Sequence, residues 1–289
     1  MPVPNDTAVT ETGRSRRGGM RTLLRRPGAI FGIAVIVCLT LARIYIALFP
    51  YDPVRDLDLS RAFRGMSWAH PLGTDQLGRD IFLRILNSVR AFYFPGICAC
   101  LLAVSGGVIG GALAGFHGGV FSVFYRYLVS ILNAIPRFIL ILLVSAILGS
   151  NIFLIAAITG LTYLPQIAET VYRKVLFFRS MEFIEAAKAH GLPPMRILFY
   201  HIIYLNCLPP IIKHALYLFG YVILIETSLS YLGGFGVQEP QPSWGNMLAQ
   251  AREYLFQGEM LFLTAPAAAI ILTISGLVAL GDAVSEWGH

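Results

Sequence analysis

Charge is scarce in this sequence and lysine nearly absent. Only 13% of the 289 residues are charged, and Lys174, Lys188 and Lys213 are the only lysines. A soluble chain has about 25% charged residues because its surface meets water, so this shortfall excludes an ordinary soluble domain. A phosphate-cradling loop needs a glycine-rich turn closed by Lys and Ser or Thr. Here the lysines follow Arg173, Ala187 and Ile212, so no such loop exists in this chain. Cysteine is sparse too. Cys38, Cys98, Cys100 and Cys207 form no C-x-x-C pair and lie in or beside apolar runs, which reads as buried free thiols rather than disulfides or metal ligands. The histidines include no H-E-x-x-H pair, and neither a fixed-period repeat nor a low-complexity linker is found.

What is present is apolar: 56% of residues are hydrophobic and the mean hydropathy is +0.68. About 20 apolar residues cross the hydrocarbon core as a helix. Six runs qualify, at 29–49, 92–115, 123–148, 151–169, 203–232 and 260–282. Pro136, Pro165, Gly106–Gly107 and Gly110–Gly111 lie inside them. Membrane helices tolerate such residues, and small ones permit close packing. The expected class is therefore an all-α membrane protein of about six transmembrane helices, with residues 92–282 as one core. Residues 1–28 read as a mobile tail, 50–91 as a polar segment with a short helix near 80–90, and 283–289 as a short end.

The net charge of +6 does not point to nucleic acid, because no basic stripe interleaves with aromatics. Arg14, Arg16, Arg17, Arg21, Arg25 and Arg26 crowd the tail instead, and basic residues near a span stay on the cytoplasmic side. Ser15-Arg16-Arg17 also matches a twin-arginine export signal, but no small-residue cleavage site follows Phe49, so an uncleaved anchor fits better. With a cytoplasmic tail, the inside segments also hold Arg126, Arg173, Lys174, Arg179, Lys188 and Arg196. These outnumber Arg55, Arg61, Arg64, Arg79, Arg84, Arg90 and Arg252 outside, although the cluster in 50–91 opposes the trend locally.

Residues 170–203 form the longest segment on the expected cytoplasmic side. The run 182–190 favours helix, with Phe183, Ile184 and Ala187 on one face and Glu182, Glu185 and Lys188 elsewhere. Gly191 can end that helix, and Pro193 or Pro194 can open the next. Two readings remain open from composition: a helix lying at the headgroups, or a docking knob whose small Ala186 and Ala187 let a partner's groove approach closely.

Glu185-Ala186-Ala187, Gly191, Ile202 and Leu208-Pro209-Pro210 resemble the loop by which permeases of binding-protein-dependent ABC importers contact their ATPases. Two further segments sharpen the likeness to the dipeptide, oligopeptide and nickel permease family. They are His70-Pro71-Leu72-Gly73-Thr74-Asp75-Gln76-Leu77-Gly78-Arg79-Asp80, and Glu226-Thr227-Ser228-Leu229-Ser230-Tyr231-Leu232-Gly233 leading to Pro242-Ser243-Trp244-Gly245-Asn246-Met247-Leu248. The resemblance covers the chain from about residue 29. It implies a type I ABC importer transmembrane domain in the bacterial inner membrane. It also implies a second permease, two ATPase subunits that use ATP and Mg, an extracytoplasmic solute-binding protein, and no cofactor in this chain. Glu185, Ala186, Ala187 and Gly191 would form the ATPase-coupling loop. Ser130, Arg137 and the end Gly281-Asp282-Ala283-Val284-Ser285-Glu286 depart from the family pattern.

A charge inside a span is costly, roughly 2.5–3.5 kcal/mol at a helix centre. Lys213 and His214 lie near a span end, where snorkelling or a helix-to-helix pair accounts for them. Glu226 and Arg137 are the candidates for the translocation path or the polar interior, with no expectation that they pair. The same residues would motivate a membrane-embedded enzyme. A secondary transporter would instead show inverted repeats, and none is found.

Overall fold

The computed structural model describes residues 26–149, 151–254 and 260–287. Nine helices are described here: α1 Pro27–Leu48, α2 Ile81–His117, α3 Gly119–Ala134, α4 Arg137–Leu148, α5 Ile152–Arg179, α6 Glu182–Ala189, α7 Pro194–Leu232, α8 Trp244–Tyr254 and α9 Met260–Trp287. A 3₁₀ turn, Leu59–Arg61, precedes α2, and the sole extended pairing among the described residues is a bridge between Thr74 and Asp80. Five helices are long and apolar enough to cross a membrane, and the pair α3 and α4 makes a sixth if it counts as one bent span.

Four expectations change in detail. Residues 123–148 are not one straight span, because α3 and α4 meet at 74°. Pro136 causes this: it pushes Ile135 into extended backbone (φ −90°, ψ 126°) and sits at the N-cap of α4. Pro165, buried within α5, is passed without a break. The short helix expected near 80–90 is the first part of α2, whose 37 residues span about 55 Å at 1.5 Å per residue. The run 151–169 likewise extends to Arg179. Among the thiols Cys207 is buried, but Cys38 and Cys98 are exposed on helix surfaces.

The last long helix also differs from a simple span at 203–232. It starts at Pro194, and Ile197–Cys207 is wound as π-helix. Pro209 and Pro210 lack N–H groups and their rings crowd the carbonyls four residues earlier. A wider turn relieves that crowding, and Asn206 Nδ2 donates to the His201 carbonyl at 2.6 Å.

Packing contacts place the helix ends. Helices α2 and α5 run parallel, Ala99 meeting Gly160 and Gly115 meeting Tyr172 and Val175. Helix α7 runs against α2, Phe219 lying on Gly96 and the Ala215 carbonyl on Cys100. Helix α1 runs against α9, where Gly28 meets Ala279 and Val35 meets Gly276. Consequently Pro27, the 117–118 junction, residues 180–193 and the end of α9 share one end of the bundle, called here the terminal end. Residues 49–80 and 233–254 share the other, the loop end. At the terminal end Arg26 pairs with Glu286, while Lys213 Nζ lies 2.9 Å from Asp282 Oδ1 and Tyr217 donates to the same oxygen at 2.6 Å. The unusual chain end thus ties α9 to α1 and α7.

The close approach of α2 and α5 depends on small residues. A Cβ added to Gly111 would lie 2.3 Å from the Ala168 carbonyl oxygen, and at Gly107 2.8 Å from Ile167. The substitution Gly111→Val should therefore force these helices apart and cost about 1–3 kcal/mol, read as a lowered thermal midpoint of the purified protein in detergent. The control Gly220→Ala, whose added Cβ finds nothing nearer than 3.8 Å, should leave the midpoint unchanged.

Candidate functional site

At the terminal end, α6 stands out from the bundle on a defined base. Glu182 and Glu185 occupy its first turn and Lys188 its last, each complementing the helix dipole. Ile184 is fully buried in a cluster with Ile197, Leu198 and Ile202, and Ala187 lies beside it. Glu185, Ala186, Lys188, Ala189 and His190 are exposed, as is Phe183, expected on the apolar face. Ala187 is thus placed differently from the sequence expectation: it packs inward and supports the helix, while Ala186 and Ala189 are the small side chains offered outward. Neither glutamate nor Lys188 forms an ion pair among the described residues.

Gly191 ends α6 at φ +75°. Its N–H donates to the Lys188 carbonyl at 2.9 Å, and the Leu192 N–H donates to Ala187 at 3.2 Å. These two bonds form a Schellman stop, which needs a residue at ease in the left-handed region. Pro194 then opens α7 at its first position. The expected short helix, turn and second helix are present, although the second is continuous with a membrane span.

At the loop end, the segments 70–80 and 226–248 form one structure. Asp75 accepts from Arg79 Nε at 2.8 Å and also from Arg84 Nη1. Glu239 accepts from Arg79 Nη1 at 2.8 Å and from Arg84 Nη2 at 2.9 Å. Both guanidiniums and Asp75 are essentially inaccessible, so two buried cations are neutralised by one buried carboxylate and one, Glu239, that is partly open to solvent. Burial drives the Arg79 guanidinium's pKa down, but Asp75 and Glu239 outweigh it and the net shift is upward. Gln250 joins the group, donating to Glu239 at 2.6 Å and accepting from Arg84 at 3.1 Å. Asp80 caps α2 through the Leu83 N–H at 3.0 Å and holds His70 Nδ1 at 2.8 Å. Gly78, at φ +74°, passes so near the Asp58 carbonyl that an added Cβ would lie 1.9 Å from it.

The second half of this structure is also hydrogen-bonded, although Glu226 Oε2 and Thr227 Oγ1 are buried without a partner among the described residues. Ser243 and Asn246 exchange hydrogen bonds of 3.0 and 3.1 Å across the first turn of α8, a reciprocal cap. Trp244 Nε1 donates to the Ile85 carbonyl at 3.1 Å and its ring packs on Phe92. Glu226 lies inside this packing, accepting from Ser230 at 2.7 Å, and Ser230 Oγ in turn accepts from the Val237 N–H at 2.8 Å. Its position is the polar interior of the chain.

Arg137 is elsewhere. Where the third span breaks, α3, α4, α5 and α7 line an open cleft of about 570 Å³, its walls including Asn133, Arg137, Gln166, Glu169, Thr170 and His214. An adjoining cleft of about 620 Å³ contains Arg126, Ser130 and Arg173 and shares Asn133 and Glu169. Arg137 lies over the Tyr163 ring at 5.3 Å and 3.4 Å from Asn133 Oδ1. With its amide oxygen turned toward the guanidinium, Gln166 accepts from both Nη atoms at 3.2 Å. Arg137 and Glu226 are not brought together, and Arg137 has no ion pair among the described residues.

The residues not anticipated are Glu239, Gln250, Asn133, Gln166 and the role of His214, whose Nε2 lies 2.9 Å from Thr170 Oγ1. Asp75, Arg79 and Arg84 were legible as charges but not as a cluster. Glu239 lies about 160 positions away in sequence, and no periodicity links it to them.

A bundle of apolar spans with a broken span, a polar cleft at the break and an exposed helix–turn–helix at one end defines a multi-pass membrane transport domain. The chain belongs to the family of binding-protein-dependent transport system inner membrane components, which matches residues 107–287. It is 32% identical to the dipeptide transport system permease protein DppC of Alkalihalophilus pseudofirmus, covering 99% of this chain and 92% of that protein. It is 32% identical to the glutathione transport system permease protein GsiD of Pectobacterium atrosepticum, over 99% and 93% of the two chains. The oligopeptide transport system permease protein OppC of Bacillus subtilis is 31% identical, over 89% and 84%.

Removing one member of a buried ion group strands its partner's charge, which costs about 3–5 kcal/mol. Asp75→Ala should therefore accelerate hydrogen exchange at the amides of residues 73–84 and lower the thermal midpoint. Glu239→Gln should act in the same direction but more weakly, because Glu239 is partly solvated.

Proposed function

We propose that this chain is the permease subunit of an ATP-driven importer and forms half of a translocation pathway for peptides across the bacterial inner membrane. Peptides are the substrate class because the relatives just described carry names for dipeptide, glutathione and oligopeptide transport. The observation that carries the mechanism is the exposed α6 with its Gly191 stop, rooted by Ile184 in the bundle core.

The terminal end faces the cytoplasm in this reading, which the basic tail supports. Glu185, Ala186 and Gly191 then meet an ATPase subunit, with Ala187 and Ile184 passing displacement into α7 and α5. Two ATPase subunits use ATP and Mg, and a second homologous permease completes the pathway. A broad apolar face on α3, including Val120, Phe124, Tyr127 and Ile131, is exposed here and is suited to lipid or to that second subunit. A solute-binding protein delivers peptide at the loop end, where the ion cluster keeps the receiving surface rigid. ATP-driven closure shifts the spans because the nucleotide states favour different conformations of the pair. The π-wound stretch of α7 and the Pro136 break are the places where the helices can yield.

A β-branched residue at φ +75° costs about 1–2 kcal/mol, roughly a tenfold loss in the population of the docking geometry. Gly191→Val should accordingly reduce peptide uptake and peptide-stimulated ATP hydrolysis by the reconstituted complex about tenfold, while the variant still inserts at normal yield. Wild-type uptake by this variant would count against α6 as the coupling element.

A further inference from the structure

We propose that Arg137 receives the carboxylate of the transported peptide at the span break and so acts as a specificity-determining residue; this rests on the reading of the cleft as the translocation path. Arg137 lies beside Tyr163 and Gln166, near the middle of α5, in a cleft whose walls also include His214 and Tyr217. A cation there is costly unless it is paired, yet its neighbours Asn133, Tyr163 and Gln166 are all neutral. They orient the guanidinium without neutralising it. The cleft's one carboxylate, Glu169, is engaged by Arg173 Nε at 2.6 Å. Arg126 and Arg173 line the adjoining cleft, so positive charge exceeds negative along the whole trough.

One further feature points to a mobile anion. Arg137 opens α4, and the N-cap Pro136 supplies no side-chain acceptor, so the positive end of that helix faces the break uncapped. A guanidinium takes a carboxylate through two parallel N–H···O bonds, and a linear peptide with a free C-terminus carries a carboxylate there. Because the cleft is open and Arg137 only half-buried, such binding is weak enough to release the peptide onward.

The test uses the assembled transporter in proteoliposomes. Asn133→Cys introduces a thiol beside Arg137, which is treated with an anionic sulfonatoethyl or a cationic trimethylammonioethyl thiosulfonate. Modification is followed by mass spectrometry of the fragment containing position 133, which separates it from the exposed Cys38 and Cys98. A unit charge at such range in a partly hydrated cleft should favour the anionic reagent about fivefold or more relative to the same protein carrying Arg137→Gln, and Arg137→Lys should restore the preference. Initial uptake of radiolabelled dialanine should fall about tenfold with Arg137→Gln and recover in part with Arg137→Lys. A reagent preference unaffected by Arg137→Gln, as expected if an acid of the second permease neutralises Arg137, overturns the proposal and leaves the pathway reading intact. Unchanged dialanine uptake by Arg137→Gln overturns it as well. Failure of both reagents to reach the thiol overturns the pathway reading itself, and the proposal with it.

Discussion

The ion group formed by Asp75, Arg79, Arg84 and Glu239 sets the architecture of the loop end. Two inaccessible guanidiniums would be prohibitive on their own, and two carboxylates at 2.8–2.9 Å and closer make them tolerable. The group joins the start of α2 to the loop before α8, and Trp244, Ser88 and Met247 continue the same seam into the membrane region. Glu226 and Ser230 anchor the following turn from inside α7. The start of α2 and the loop before α8 are thereby tied to each other across more than 150 residues of chain.

The opposite end is built on different terms. Its short helix presents acidic and basic side chains that form no ion pair among the described residues, on a base of buried isoleucines, and stops at a glycine with open space around it. An interlocked end and an exposed helix at the other are the two features on which the proposed function rests. Both long helices α2 and α7 exceed the roughly 30 Å hydrocarbon thickness. Helix α2 carries its excess toward the ion group, and α7 carries its excess toward α6.

Between the ends, Pro136 converts a hydrophobic run into two half-spans and exposes polar groups where a straight helix would have covered them. A non-helical junction at membrane depth is tolerated where it lines a cavity, and the cleft around Arg137 is such a cavity. Arg137 and Glu226, which look alike in sequence as charges within apolar runs, have opposite surroundings: one faces a cleft and the other is enclosed by its own chain.

Local features of the fold were legible in the sequence. The membrane class and the six apolar runs followed from composition, and the stop at Gly191 with the restart at Pro194 followed from turn chemistry. These depend on a few neighbouring residues and lipid as solvent. Charge counting along the Arg-rich segment 50–91 cannot see that Arg79 and Arg84 are buried and paired. The inward turn of Ala187, the kink strong enough to split a span, the union of two distant motifs around Glu239, and the absence of an ion pair for Arg137 among the described residues were decided only in three dimensions. Each is a question of which groups lie within a few ångströms of one another, and separation along the chain carries no record of that distance.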